Sequence, residues 1–254
     1  MKRTIYISTI SLILLLSLSV NAFALDSCNW FFKRQGHNSP TFPANADMIS
    51  ANGGIYIDGK SSMNNKKVIY LTFDAGYENG NIESILDTLK EKQVTGAFFI
   101  LSNLIKKNTD LVIRMANEGH TVCNHTANHK NLTRLNEEEI ATELTSLENL
   151  YYEKTGNKMS KYFRFPEGCY NEKSVKYISS LGYKCVFWSL AYADWDNSCQ
   201  PTEKEAMVKL IDNIHCGAIV LLHPTSTTNA QVLPKLIDEW RRLGYEFGTL
   251  DDIK

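Results

Sequence analysis

The sequence predicts an α/β fold, a single domain built as a distorted, incomplete (β/α) barrel of about seven parallel strands and preceded by an N-terminal extension. Two observations favour this fold class. From residue 66 onward, short apolar segments alternate with amphipathic helical segments, and the apolar segments are apolar throughout rather than at every second position. Strands of that composition are buried on both faces, which is typical of a parallel sheet covered by helices. Seven such repeats in about 190 residues fit a compact barrel better than an open sheet.

The predicted strands are rich in valine, isoleucine, phenylalanine and tyrosine, and they span residues 68–73, 95–101, 120–124, 161–165, 184–190, 217–222 and 245–249. The helices between them are predicted from apolar residues at helical spacing, from capping-box pairs and from glycines at helix ends. The residues concerned are Ile82, Ile85, Leu86 and Leu89 for the spacing, Asn136 with Glu139 and Thr202 with Glu205 for the capping boxes, and Gly119, Gly156, Gly182 and Gly244 for the ends.

Residues 1–24 have the pattern of a secretory signal peptide. Lys2 and Arg3 precede an apolar run over residues 5–20, and Ala22-Phe23-Ala24 provides a small-residue cleavage site. The run is short for a membrane span, so we expect cleavage and no stable membrane insertion. The mature protein is expected to be a secreted, extracytoplasmic monomer. The formal charge of −1 gives no indication of nucleic-acid binding.

Residues 25–65 show no clear periodicity and are interpreted as an N-terminal extension. Trp30, Phe31 and Phe32 lie there among Asn, Ser, Gly and Pro residues. We expect these aromatic side chains to pack on the barrel, with carbohydrate stacking by Trp30 as the less favoured alternative. The main domain is then predicted to span residues 66–254. The six cysteines are sparse for a chain of this length, and no essential disulfide is expected.

Polar side chains follow five of the predicted strands, at the end where a parallel barrel carries its chemistry. They are Asp74, His125 with His129, Arg164, Asp194 with Trp195, and His223. Each of them alone has a plain structural explanation, as a turn former, a surface charge or a buried core side chain. Their joint position at strand ends predicts an active site.

The same residues lie in five short motifs, on which the chain resembles the polysaccharide deacetylases, the NodB-like carbohydrate esterase family four. The motifs are Thr72-Phe73-Asp74-Ala75-Gly76, His125-Thr-Ala-Asn-His129, Arg164-Phe165-Pro166, Asp194-Trp195 and Leu222-His223. The stretch from Thr72 to Gly80 is most similar to the sporulation-type peptidoglycan N-acetylmuramic acid deacetylases, which act on the way to the muramic δ-lactam of spore cortex.

The resemblance implies hydrolysis of an N-acetyl group on an amino sugar of peptidoglycan, with a divalent cation, usually zinc, as cofactor. The implied catalytic residues are Asp74 as general base, His223 as general acid, Arg164 as the side chain that orients Asp74, and Asp194 as a partner of either His223 or Arg164. The implied metal ligands are His125 and His129, and the implied substrate contacts are Trp195, Leu222, Pro166 and Tyr77. Amide hydrolysis needs a base for the attacking water and a proton for the leaving amine, which these residue types can supply.

The chain departs from the family pattern at Ala75, where relatives have the acid that is the third metal ligand. Two imidazoles without this carboxylate are expected to bind a cation weakly, with water completing the site. Ala191 is a second departure, and Phe165-Pro166-Glu167 is a third. The two small alanine side chains are expected to leave room for the lactyl ether of muramic acid. Three alternatives stay open, namely a non-catalytic glycan-binding protein, a deacetylase of N-acetylglucosamine or chitin-type glycans, and a glycosidase using Asp74 and Asp194.

Overall fold

The structure, a computed structural model, describes residues 27–253, and the predicted signal peptide lies outside the described residues. Within that range the strands are β1 (Cys28–Asn29), β2 (Lys33–Gln35), β3 (Asn38–Thr41), β4 (Val68–Ala75), β5 (Gly96–Ile100), β6 (Thr121–Asn124), β7 (Tyr162–Phe163), β8 (Cys169–Tyr170), β9 (Lys184–Cys185), β10 (Ala218–Leu222) and β11 (Glu246–Gly248). The α-helices are α1 (Ala46–Ala51), α2 (Gly59–Met63), α3 (Ile82–Glu91), α4 (Ser102–Lys107), α5 (Thr109–Asn117), α6 (Glu137–Thr155), α7 (Glu172–Ser180), α8 (Glu203–Ile211) and α9 (Thr227–Arg242). None of the helices in the described part of the chain is long and apolar enough to cross a membrane.

Seven strands form one parallel sheet in the order β10-β4-β5-β6-β7-β9, with β11 paired to the first residues of β4. Each strand overlaps one of the seven segments predicted from the sequence, so the fold class and the parallel sheet are confirmed. Two strands are only two residues long, much shorter than predicted, because regular pairing ends at Phe163 in β7 and at Cys185 in β9. Beyond these points the side chain of Arg164, rather than a neighbouring strand, binds the carbonyl oxygen of Val186 at 3.0 Å.

The sheet curls into an incomplete barrel, with a seam between its edge strands β9 and β10. Leu190, beyond β9, bridges Val220 of β10. Residues from the N-terminal extension occupy the rest of the seam, since Ile55 bridges Val186 and Ile57 bridges Ala218. The predicted distorted barrel is therefore confirmed, and the extension takes part in its closure.

Helices α6 and α8 begin at the predicted capping boxes, and α5, α6, α7 and α9 end within two residues of the predicted glycines. The apolar residues predicted for one face of α3 are all buried. Complete capping boxes start α6 at Asn136 and α8 at Thr202. Gly156 ends α6 in the left-handed conformation, at φ 72°, where a side chain would be strained.

The aromatic side chain of Trp30 anchors the extension on the barrel. It is 6% exposed, and its ring centroid lies 4.8 to 5.8 Å from those of Phe42, Tyr56 and Phe187. Its indole nitrogen donates a hydrogen bond to the carbonyl oxygen of Trp188 at 2.8 Å. This is the core packing expected of Trp30, whereas the domain boundary at residue 65 stays a prediction. The six cysteines, all within residues 27–253, carry free thiols.

Candidate active site

A cleft of about 900 Å³ opens at the carboxyl ends of the sheet strands. The predicted site residues that line it are Asp74, Tyr77, His125, His129, Trp195 and His223. Arg164 and Asp194 are fully buried behind this wall, at 0% exposure. The strand ends thus bring the acidic, basic and imidazole side chains to one place, as their sequence positions predicted.

Arg164 holds the carboxylate of Asp74 from below the cleft. Its Nη1 donates to Asp74 Oδ1 at 2.8 Å, its Nη2 donates to Thr72 Oγ1 at 2.9 Å, and its guanidinium carbon lies 4.1 Å from the centre of the Phe99 ring. Burial alone would raise the pKa of Asp74, but the charge and hydrogen bond of Arg164, together with His125 and His223, outweigh burial and hold that pKa below its ordinary value. Asp74 is therefore an oriented carboxylate that is ionised at neutral pH.

Two neutral imidazoles lie beside this carboxylate. Nδ1 of His125 lies 2.8 Å from the carbonyl oxygen of Arg164 and must carry the proton that it donates, so Nε2 keeps its lone pair. That Nε2 atom is 3.7 Å from Asp74 Oδ2, and the His129 ring centroid is 5.0 Å from that of His125. Burial lowers the pKa of His125 to about 4 and also lowers the pKa of His129. Each histidine can therefore offer a nitrogen lone pair at neutral pH.

The loop that carries both histidines is held in an unusual backbone conformation. Thr126 has φ 73° and His129 has φ 57°, in the left-handed region that side chains disfavour. Local hydrogen bonds stabilise this turn: Asn124 Oδ1 accepts from the Thr126 amide at 2.9 Å, and Thr126 Oγ1 accepts from the His129 amide at 2.8 Å. Such strain is typical of functional sites, where surrounding contacts hold the backbone in place.

The donor set fits a divalent cation only in part. His125 and His129 offer two imidazole ligands, while Ala75 is fully buried, packs in the hydrophobic core and does not line the cleft. Within residues 27–253, no group of three or more histidine, cysteine, aspartate or glutamate side chains is arranged to hold a metal ion. Ala75 also adds no room to the cleft, contrary to expectation, whereas Ala191 does line it.

The structure pairs Asp194 with His223, one of the two partners that the sequence left open. Asp194 Oδ1 lies 2.7 Å from His223 Nδ1, and Oδ2 accepts hydrogen bonds from the His223 amide at 2.8 Å and from Asn229 Nδ2 at 2.6 Å. Burial favours the neutral imidazole, but the charge and hydrogen bond of Asp194, together with the charge of Asp74, outweigh burial and raise the pKa of His223. Because Nδ1 is bound to the carboxylate, Nε2 is the nitrogen available for proton transfer.

Two predicted substrate contacts do not line the cleft. Leu222 is 1% exposed and belongs to the hydrophobic core, and its neighbour Leu221 lines the cleft instead. Successive residues of a strand point to opposite faces, so a shift of one position changes which of them is accessible. Pro166 is buried in a 3-10 turn, and Glu167, at φ 57°, lines the cleft in its place.

Several supporting residues were missed because they lie outside the motifs. Asn229, in the first turn of α9, binds the Asp194 carboxylate, and the hydroxyl of Tyr192 donates to Asn229 Oδ1. Thr72 lies inside a motif but was given no role, although its hydroxyl accepts from Arg164 and donates to the Val220 carbonyl at 2.7 Å. The signals that the sequence offered were their polar character inside apolar or helical segments and, for Thr72, its place in the first motif.

Comparisons with known proteins agree with this geometry. Residues 61–186 match the polysaccharide deacetylase family. The chain is 37% identical over 227 residues to the peptidoglycan-N-acetylmuramic acid deacetylase PdaA of Bacillus subtilis, covering 89% of this chain and 85% of that protein. The solved structure of B. subtilis PdaA, a family 4 carbohydrate esterase, has a TM-score of 0.85 at 38% identity and covers 90% of this chain and 97% of that chain.

Two further relatives show how far the likeness extends. A family 4 carbohydrate esterase from Bacillus anthracis has a TM-score of 0.75 at 39% identity, covering 91% of this chain and 98% of that chain. A peptidoglycan-N-acetylglucosamine deacetylase of Bacillus cereus is 32% identical over 190 residues, or 73% of this chain and 68% of that protein. The PdaA match of 227 residues is too long to fit between residue 61 and the C terminus, so it includes part of the extension. By its fold, its motifs and these relatives, the chain belongs to the polysaccharide deacetylase family, carbohydrate esterase family 4.

Proposed function

We propose that this protein hydrolyses the N-acetyl group of N-acetylmuramic acid residues in peptidoglycan, as a step towards the muramic δ-lactam of spore cortex. The observation that carries this proposal is two pairs of interacting charged groups at the cleft, Asp74 with Arg164 and His223 with Asp194. Asp74 is kept ionised by Arg164, and the pKa of His223 is raised by Asp194. Perturbed groups of opposite acid-base character in one cleft are typical of general base and general acid catalysis.

In the proposed reaction Asp74 and His223 move the two protons that amide hydrolysis requires. Asp74 accepts a proton from the water that attacks the acetyl carbonyl carbon. Nε2 of protonated His223 gives a proton to the amine nitrogen as the carbon–nitrogen bond breaks, which releases acetate and leaves a free amine on the sugar. Asp194 stabilises the imidazolium before this transfer, and Arg164 keeps Asp74 aligned with the cleft.

A divalent cation, which we propose to be zinc, would be held by His125 and His129, with water or substrate oxygens completing its coordination. Members of this family are generally metal-dependent deacetylases. The cation would supply a Lewis acid for the negative charge that develops on the acetyl oxygen. With two protein ligands from residues 27–253, this site is proposed to be weaker than one with a third carboxylate.

The substrate assignment is supported by the likeness to PdaA and by the cleft walls. Tyr77 and Trp195 are 59% and 64% exposed at the cleft and can stack on sugar rings. The small side chain of Ala191 leaves room beside the acetamide for a lactyl ether. A free amine next to the lactyl carboxyl can close to a six-membered lactam, a reaction that proximity favours strongly.

We further propose that the protein acts outside the cytoplasmic membrane, after signal-peptide removal, as a monomer.

Acetate release from purified glycan strands, with and without zinc, tests the proposal, and mass spectrometry of the fragments identifies the sugar that loses acetyl. We expect loss from muramic residues, with faster turnover on strands that lack stem peptides. Asp110→Asn, an exposed aspartate on α5, is the matched control for any change at Asp74. Loss from glucosamine residues alone, or equal turnover of chitin oligomers, would assign the protein to the general deacetylases. Binding of glycan without any acetate release would favour the non-catalytic alternative.

A further inference from the structure

The cleft has one cationic side chain on its surface that the proposed mechanism does not use. Arg34, in β2 of the extension, is the only lysine or arginine that lines the cleft in the described part of the chain. The acidic lining residues are Asp74, which is neutralised by Arg164, and Glu167. Within residues 27–253 Arg34 forms no ion pair, so no acidic side chain in that range neutralises its charge.

The guanidinium of Arg34 is held in position by two contacts from different segments. Its Nη2 donates a hydrogen bond to the carbonyl oxygen of Ala191 at 2.5 Å, and its central carbon lies 5.8 Å from the centre of the Phe32 ring. A guanidinium has five N–H donors in a planar fork, of which this contact uses one. The remaining donors can bind a carboxylate through two parallel hydrogen bonds, the geometry for which arginine is best suited.

The carbonyl oxygen of Ala191, which accepts the hydrogen bond from Arg34, lies on the wall of the cleft that carries the proton donor His223. Ala191 precedes Asp194 by three positions, and the Asp194 carboxylate holds His223. In muramic acid the lactyl ether is on the carbon next to the one that bears the acetamide. A sugar whose acetamide nitrogen faces His223 therefore carries its lactyl group on the carbon next to the reacting amide.

We propose that Arg34 binds the lactyl carboxylate of a muramic acid residue from which the stem peptide has been removed. This inference rests on the proposed function and adds a specificity-determining residue to it. A peptide-bearing lactyl group is an uncharged amide and N-acetylglucosamine has no lactyl group, so neither presents an anion at the lactyl position. The substrate must accordingly come from a reaction that hydrolyses the amide between the lactyl group and the first amino acid of the peptide.

The test compares two forms of the same peptide-free glycan strands, one with free lactyl carboxylates and one with these groups converted to methylamides. Arg34→Gln removes the charge, and Arg34→Lys keeps it without the planar fork. Lys33→Gln is the matched control, because Lys33 is the exposed neighbour in β2 and does not line the cleft. Both kcat/KM for acetate release and the Kd for strand binding are measured for each protein.

We expect Arg34→Gln to lower kcat/KM and affinity for the carboxylate strands by about tenfold to hundredfold, the range for a hydrogen-bonded charged group. The same change should alter the values for methylamide strands by less than about twofold, and Lys33→Gln should alter neither. Arg34→Lys should fall between wild type and Arg34→Gln.

An equal loss on both strand forms, or no loss on either, would overturn the assignment of Arg34. If wild-type protein releases no acetate from any strand, the proposed function fails. The difference in Kd between carboxylate and methylamide strands, in wild type and in Arg34→Gln, then still decides whether Arg34 binds the carboxylate.

Discussion

Replacing Asp74 with asparagine should separate two roles of this carboxylate, one in catalysis and one in stability. Asp74 is the only acidic side chain paired with Arg164 within residues 27–253, and Arg164 is completely buried. In Asp74→Asn the amide oxygen can still accept the hydrogen bond from Nη1. The guanidinium nevertheless loses its counter-charge while it stays fully buried.

The expected loss of stability follows from this burial. Removing one partner of a buried ion pair costs about 3 to 5 kcal/mol. The retained hydrogen bond and the 11% exposure of the Asp74 side chain favour the lower end, about 3 kcal/mol. In a domain of this size each kcal/mol changes Tm by about 2 to 4 °C, so Tm should fall by about 6 to 12 °C. Acetate release should fall by about a hundredfold to ten-thousandfold, measured where both proteins are folded.

Thermal unfolding followed by circular dichroism, with chelator present to remove metal, measures the stability effect. Because the folded-state pKa of Asp74 is lowered, its contribution is present above the unfolded pKa near 4 and is lost as pH falls through the folded value. The difference between wild type and Asp74→Asn should therefore be constant near neutral pH and shrink in acid. A Tm within about 2 °C of wild type would refute the dependence of buried Arg164 on the charge of Asp74. Acetate release within threefold of wild type would remove Asp74 from the mechanism.

Three further predictions concern the remaining parts of the site. Asp194→Asn removes the charge that raises the pKa of His223, so the loss of acetate release with rising pH should begin at a lower pH, and an unchanged pH–rate profile would contradict the pairing. Ala75→Asp buries a carboxylate in the core and should lower Tm, and a cation held by His125 and His129 would draw this carboxylate from the core towards the cleft, so added zinc should recover Tm more than in wild type or in Ala75→Asn. Nanomolar zinc binding by wild type in calorimetric titration would show that the ligand set is incomplete. Trp30→Ala should lower the free energy of unfolding by about 3 to 5 kcal/mol in urea titration, and a value under about 1 kcal/mol would show that the extension is not anchored there.

The sheet and the main site residues were predictable because both depend on patterns that run along the chain. Uniformly apolar segments separated by helical periodicity specify buried parallel strands, and the strand ends then bring Asp74, His125 and His223 together whatever the details of the loops. The pairing of Asp194 with His223 was not predictable, since it depends on how the loop after β9 returns to the end of β10.

The cleft walls were predicted less well, for a related reason. A strand that is apolar on both faces gives no sign of which residues face the cleft. Leu222 was therefore the predicted substrate contact, whereas Leu221 lines the cleft. Ala75 was expected near the cleft from its place in a motif, but its side chain points into the core. The extension shows no periodicity, because its helices and strands are six residues long or shorter and others of its residues pair singly with distant strands, as Ile55 does with Val186.

The seam between β9 and β10 has a consequence for the order of folding. Ile55 and Ile57 occupy it from the N-terminal side of the chain, but the strand edges that they contact are formed by residues near 186 and 218. Contacts of such high sequence separation form slowly, because the loss of chain entropy precedes the gain in contacts. We expect the extension to dock after the sheet has assembled, which pulse-labelled hydrogen exchange during refolding would detect as late protection of the amides of Ile55 and Asp58. Until then both edges of the sheet offer unpaired backbone groups to other chains, so this docking step also ends the period in which the protein is most exposed to aggregation.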